Sequence, residues 1–299
     1  MGAASDKEEK VDQQKEISQN ELKTVWETDL ADKSRFKLNI KLTEQEKAIA
    51  RKFSRSVIKD LKTNDVYVHY LLTKLKEENM PLEMAAIPLV ESGLNPNVHN
   101  NGAHGAWQYV RSTGSSLGLK RTAGYDGIYD FFASTDAGIK YLKRMYRDLG
   151  DWELVVMAYN QGEYGVKRAI ASAKKAGLTP NSSNVRVSQN ARNYLKRFKA
   201  FADILKNPQN YKVKLPNIKN RSAFRRVEVA GKVKSMNEAA RLSGASIEKI
   251  KKLNSGYTTD RIDSAHGLLM PIEHADTLEE AIYGKSKKTE KDRDSRQSL

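Results

Sequence analysis

The 299-residue chain sets 52 Lys and Arg against 37 Asp and Glu, a net charge of +15, with no cysteine and 39% apolar residues. Without cysteine it holds no disulfide, thiolate zinc site, iron–sulfur cluster or cysteine nucleophile, and no uncharged apolar run approaches the roughly 18 residues needed to span a bilayer. The length suits one to three domains with a core able to fold unaided.

Residues 1–35 begin with a highly charged, aliphatic-poor stretch and read as a disordered or peripheral leader. No basic segment followed by an apolar one marks a secretory signal in this chain. From Leu42 to Lys62, Ile49, Phe53, Val57, Ile58 and Leu61 recur at helical spacing behind a Thr43/Glu46 capping box. A second helix is predicted over about 66–78. Pro81 then opens a helical segment, PLEMAAIPLVES, in which Pro88 should cause a kink or break. The following SGLNPNVHNNGAHG is a loop by composition. Helical patterns return at about 105–117, 134–149, 152–160, 165–175 and 190–206, with almost no strand signal. Residues 36–206 thus read as one mainly α-helical domain and 207–220 as a polar linker. Residues 221–284 follow a strand, helix, helix, strand order, a small α+β module, and 285–299 read as a disordered charged tail.

More than half of the excess charge lies between residues 151 and 220, where 13 basic residues stand against 4 acidic ones. Such a zone either attracts a polyanion or is simply a solvated surface. The five histidines show no paired ligand spacing on a common helix face, so neither a metal nor an organic cofactor is expected.

Glu91 follows the apolar run Met84 to Val90 and opens a loop of small polar residues. A carboxyl held against apolar neighbours keeps its proton to higher pH and can act as a general acid; the alternative is a surface glutamate ending a helix. Three further segments offer sugar-binding chemistry. Gly105-Ala106-Trp107-Gln108 combines a turn, an aromatic platform and an amide. Tyr159-Asn160-Gln161-Gly162 ends a helix with a phenol and two amides. Tyr194 lies in the basic amphipathic stretch RNYLKRF. Taken singly, each is more often core aromatic plus helix cap than active site.

In order, NMPLEMAAIPLVESGLNP, GAHGAWQYVRSTG, GDW, VMAYNQGE and NYLKRFKAFADILKNPQNYKVKLP make residues 66–216 resemble the catalytic domain of lytic murein transglycosylases of the goose-lysozyme-like superfamily, most closely the membrane-bound D type. The resemblance implies cleavage of the β-1,4 bond between N-acetylmuramic acid and N-acetylglucosamine in peptidoglycan, with Glu91 as the single acid and base. It places Ser92, Gln108, Asn160, Tyr159, Tyr194 and Trp107 around the sugar. It also implies an exported protein of the periplasm or cell envelope, whose membrane association comes through a lipid anchor absent from this chain. A second Asp or Glu is what a two-carboxylate glycosidase needs, and Asp126, Asp130, Asp136 and Glu163 are the candidates. Asn190-Ala191, Ala106 and Val110-Arg111 depart from the family pattern and suggest a more basic, roomier cleft. They leave open a hydrolysed product, as in a lysozyme-like muramidase, and a preference for de-N-acetylated strands.

Residues 224–272 resemble a degenerate LysM module, a βααβ unit that grips N-acetylglucosamine polymers; glycan binding stands here beside simple packing on the catalytic domain. A non-catalytic wall-binding scaffold is a further alternative. Nucleic-acid binding through the basic zone is not expected, because no recognition module accompanies it.

Overall fold

The computed structural model describes residues 2–229, 231–263 and 265–284; the 285–299 tail, expected to be disordered, lies outside them. Helix α1 (Gly2–Glu21) is exposed along its described side chains. After it the expectation of a peripheral leader is corrected. Val25 is buried and its amide donates to the Ile218 carbonyl at 2.8 Å, while the Trp26 indole donates to the Pro216 carbonyl at 2.8 Å. The supposed linker supplies this surface, so two segments of polar composition bury each other's few apolar residues. The linker is further held by the Tyr211 hydroxyl, which donates to Asp203.

Helix α2 (Glu44–Thr63) starts at the capping box read from the sequence: Thr43 Oγ1 accepts the Glu46 amide at 3.2 Å and the Glu46 carboxylate accepts from the Thr43 amide at 3.3 Å. Helix α3 (Val68–Glu77) follows. The segment after Pro81 is a 3-10 turn, Leu82–Ala85, that passes into α4 (Ala86–Ser92). Pro88 falls in the first turn of α4, where its missing N–H removes no helical bond, so the break precedes it. Glu83 is buried in the 3-10 turn and accepts the amides of Lys37 at 2.9 Å and Leu38 at 2.5 Å, pinning the entering chain.

The helix expected over 105–117 is shorter than its pattern. Strands β1 (His99–Asn100), β2 (Ala103–His104) and β3 (Tyr109–Val110) form a small antiparallel sheet, and only α5 (Arg111–Ser116) is helical. Gly105 decides this: it adopts φ +82°, and a Cβ there would stand 2.1 Å from the Ile128 carbonyl oxygen.

Helices α6 (Phe131–Leu149), α7 (Trp152–Gln161), α8 (Glu163–Lys175) and α9 (Gln189–Lys206) complete the helical domain; side chains of Asp130, Asp151 and Ser188 cap α6, α7 and α9. Helix α9 packs against α2, α4 and α7 and buries Tyr194, Leu195, Phe198, Phe201, Ile204 and Leu205.

The C-terminal module pairs β4 (Phe224–Val227) with β5 (Leu268–Pro271) antiparallel, Phe224 opposite Pro271; α10 (Met236–Ser243) and α11 (Ile247–Leu253) lie between them in sequence. A further helix, α12 (Ala275–Tyr283), was not anticipated; it buries Ala275 and Leu278 against α10 and β4. Mainly α with a small α+β module remains the fold class. The module shares the main core: Phe224 lies 4.4 Å from the Phe132 ring, and Leu253 and Leu269 join the same cluster. Backbone bonds from Asp126 to Gly256 at 2.7 Å and from Thr258 to Gly124 at 2.9 Å close the seam.

Gly138 in α6 makes room for this core, since a Cβ would stand 2.6 Å from the Tyr109 hydroxyl and 2.8 Å from the Trp107 ring. Both neighbours are buried and hydrogen-bonded, to the Ser134 carbonyl and to Thr135 Oγ1, so neither can yield. Gly138→Ala is therefore expected to destabilise by about 1–3 kcal/mol, although Ala ordinarily improves a helix by about 1 kcal/mol. A lowered urea midpoint at unchanged slope would show it; a raised midpoint would refute the steric account.

Candidate active site

Glu91 occupies the last turn of α4. The helix stops at Gly93, whose left-handed conformation (φ 64°) lets its amide bond the Leu89 carbonyl at 3.0 Å while Leu94 reaches Pro88 at 3.2 Å. Asn64, at the end of α2, donates from Nδ2 to the Gly93 carbonyl at 2.9 Å, so the chain just past Glu91 is tied on both sides.

Ser92 Oγ donates to the Ala106 carbonyl at 2.7 Å, with the Pro88 carbonyl at 3.1 Å as a longer alternative. This latches the glutamate helix to the 105–108 loop. Gln108 sits in the left-handed region at φ 53° and donates from Nε2 to Gly105 at 2.7 Å and Val98 at 3.0 Å. Its amide protons are thus committed, and Oε1 is left to accept from a ligand. The Tyr159 hydroxyl donates to the Trp107 carbonyl at 2.5 Å. Ser92 and Tyr159 therefore apply their hydroxyls to the loop rather than to a sugar.

Trp107 is corrected outright. It is fully buried, and its indole N–H donates to Thr135 Oγ1 at 3.0 Å inside the core. No sugar can stack on it. Asn160 is exposed at the end of α7.

Burial pushes the Glu91 carboxyl up to about 7; the Tyr194 hydroxyl and the Arg197 guanidinium of α9 pull the other way. Tyr194 Oη is buried, has no hydrogen-bond partner of ordinary geometry, and faces the Glu91 carboxyl. Arg197, one turn further along α9, is clamped 5.0 Å over the Phe53 ring and 5.8 Å over Phe201, with its Nε unpartnered. Among the described residues, no carboxylate is one of the groups that shift Glu91.

The four acids considered as a second catalytic group all have partners. Asp126 accepts from Arg111 at 2.6 Å, Asp130 from the Tyr125 hydroxyl at 2.6 Å, Asp136 from the Tyr70 hydroxyl at 2.7 Å, and Glu163 pairs with Arg144 at 2.9 Å. The same geometry revises the reading of a basic, roomy cleft. Arg111 is offset by buried Asp126, and Ala106 is fully buried in the core rather than bordering open space.

Arg197 and its aromatic clamp escaped sequence reasoning, as did Asn64. For Arg197 the available signal was its position three residues after Tyr194, on the same helix face. Among the described residues no group of three or more His, Asp or Glu is placed to hold a metal ion, and no helix is long and apolar enough to cross a membrane.

The raised Glu91 pKa has a stability consequence. Between its ordinary 4.5 and about 7 the folded protein keeps a proton that the unfolded chain has lost. The contribution is fully present below 4.5 and is lost as pH rises through about 7. Glu91→Gln should therefore be more stable than the wild type at pH ~8, by on the order of 3 kcal/mol, with the gap closing near pH ~4; thermal melts at both pH values measure it. Arg197→Gln should move the Glu91 titration upward, read by NMR of the labelled carboxyl, and a downward shift would exclude the assigned role of Arg197.

Comparison with known proteins finds two family matches and several relatives. The Transglycosylase SLT domain family matches residues 72–180, and the LysM-like domain of lytic transglycosylase MltD matches residues 223–283. The membrane-bound lytic murein transglycosylase D of Escherichia coli (strain K12) is 32% identical over 249 residues, covering 82% of this chain and 54% of that protein. A putative tributyltin chloride resistance protein of Alteromonas sp. (strain M-1) is 28% identical over 146 residues, 48% of this chain and 70% of that protein. The chain spans about half the length of the lytic transglycosylase D proteins it matches. From its helical core to its last described helix, the chain thus carries a transglycosylase SLT domain followed by an MltD-type LysM-like domain.

Proposed function

We propose that this protein is a lytic transglycosylase that cuts the β-1,4 bond between N-acetylmuramic acid and N-acetylglucosamine in peptidoglycan and leaves a 1,6-anhydro end. The observation that carries the reading is the Glu91 carboxyl, raised by burial to about 7, with Tyr194 and Arg197 and no carboxylate of the described residues acting on it. A group with that pKa can give a proton and then take one back near neutrality.

Glu91 donates its proton to the glycosidic oxygen as the bond from C1 to that oxygen breaks. The resulting carboxylate then removes the proton from the muramic acid 6-hydroxyl while O6 closes on C1. One bond breaks and one forms, no water is consumed, and Glu91 ends protonated as it began. Arg197 and the Tyr194 hydroxyl stabilise the intermediate carboxylate, which is when their charge and dipole matter most. Gln108 Oε1 and exposed Asn160 are the groups free to hold the sugar and its acetamido arm; Ser92 and Tyr159 fix the loop that presents Gln108. The place of work on this reading is the cell envelope.

Glu91→Gln is expected to lower lysis of purified sacculi by at least about 10³-fold, with the fold unchanged by circular dichroism. Mass spectrometry of wild-type digests should find muropeptide ends one water lighter than hydrolysed ones. Because the free enzyme needs Glu91 protonated, kcat/KM should fall as pH rises through about 7. Full lysis by Glu91→Gln, or hydrolysed ends alone, would refute the proposal.

A further inference from the structure

A cleft of about 670 Å³ opens where the C-terminal module meets the helical domain. Its size falls within the roughly 300–1,000 Å³ of ordinary ligand sites. One wall is the loop Asn95-Pro96-Asn97; the other is α11 and the segment 254–260 after it. The two walls are fixed to each other. The Tyr67 hydroxyl donates to the Lys252 carbonyl at 2.5 Å, Lys252 Nζ donates to the Thr63 carbonyl, and the Phe131 amide donates to Ser255 Oγ at 3.2 Å. The cleft is therefore preformed, and neither domain makes it alone.

It adjoins the catalytic loop. Asn97 precedes Val98, whose carbonyl holds the Gln108 amide, and Asn64 on the cleft wall holds the Gly93 carbonyl two residues after Glu91.

The lining has the character of a peptide site. Asn97 is exposed and offers an amide donor and acceptor to a peptide backbone. Glu248 and Lys251 of α11 are exposed, face the cleft, and form no ion pair with each other. The remaining charged groups are already engaged, Lys252 on Thr63 and Asp260 on the Asn237 amide at 3.1 Å. A neutral sugar has no use for a cation and an anion that are free among the described lining residues; a short peptide with both a carboxylate and an amine does.

We propose that this interdomain cleft binds the stem peptide carried by the glycan strand in the catalytic groove, with Lys251 taking a peptide carboxylate, Glu248 a peptide amine and Asn97 the backbone. The inference rests on the peptidoglycan reading above, so its test includes an arm that does not use lysis.

The full chain bearing Glu91→Gln is titrated by NMR with the free tetrapeptide Ala-γ-Glu-diaminopimelate-Ala, and separately with chitotetraose. Expected are peptide-induced shifts at residues 95–97 and 248–260, and at least tenfold weaker peptide binding when Lys251→Glu or Asn97→Ala is added. Chitotetraose should leave those residues unmoved. In the active chain, Lys251→Glu should raise KM several-fold for peptide-bearing strands, at unchanged kcat, and leave peptide-free strands unaffected. Peptide shifts elsewhere, equal binding by the variants, or chitotetraose filling the cleft would overturn the proposal. Because the titration reads binding alone, it decides the matter even if lysis is never seen.

Discussion

The dehydrated carboxyl of Glu91 is the constraint around which the helical domain is arranged. A carboxylate taken from water is unfavourable by about 1.4 kcal/mol for every unit its pKa rises, and this one rises from 4.5 to about 7. The surrounding structure must absorb that burden. Helix α9 does so by facing Tyr194 to the carboxyl and bringing the Arg197 charge near enough to lower its pKa, and by packing into α2, α4 and α7. Phe53 and Phe201 hold Arg197 without neutralising it, as a carboxylate partner would. The outcome is an acid weakened by burial and then partly restored, which places its titration near neutrality.

Holding that group still requires side chains whose chemistry suggests a more direct part. Ser92, Tyr159 and the Gln108 amide protons all bond backbone carbonyls in the loop 98–107. Trp107 anchors the loop from inside the core. The polar groups that remain uncommitted there are few: an amide oxygen, an exposed asparagine and the acid itself. That division is physically reasonable, since a catalytic group displaced by 1 Å loses much of its effect.

The C-terminal module belongs to the same mechanical unit. Phe224, Leu253 and Leu269 enter the large core, and the last turn of α11 grips Thr63 and Tyr67 beside Asn64, the residue that holds Gly93. Residues 23–26 and 216–220 are likewise joined, by hydrogen bonds to each other. A sequence boundary drawn by composition places a linker where the fold places a shared interface, because a few apolar side chains such as Val25, Trp26 and Ile218 are enough to dock a polar segment.

Local signals along the chain were sufficient for α2 to α4 and for α6 to α9, but not for α12 or for the short sheet at 99–110. Thr43 and Glu46, Asp151 and Ser188 mark starts that depend only on side chains reaching amides three residues away. Glu91 after its apolar run, and the βααβ order of the module, were likewise legible, since both are carried by periodicity and by neighbours in sequence. What the chain could not reveal is which way its ambiguous residues face. Trp107 becomes core rather than platform because Gly138, 31 positions on, leaves the space for its ring. Arg111 loses its influence to Asp126, and Arg197 gains its own from Phe53, 144 positions earlier. Burial and electrostatics depend on distances between residues far apart in sequence, so only the tertiary structure could decide which polar groups are consumed in holding the site and which remain to act.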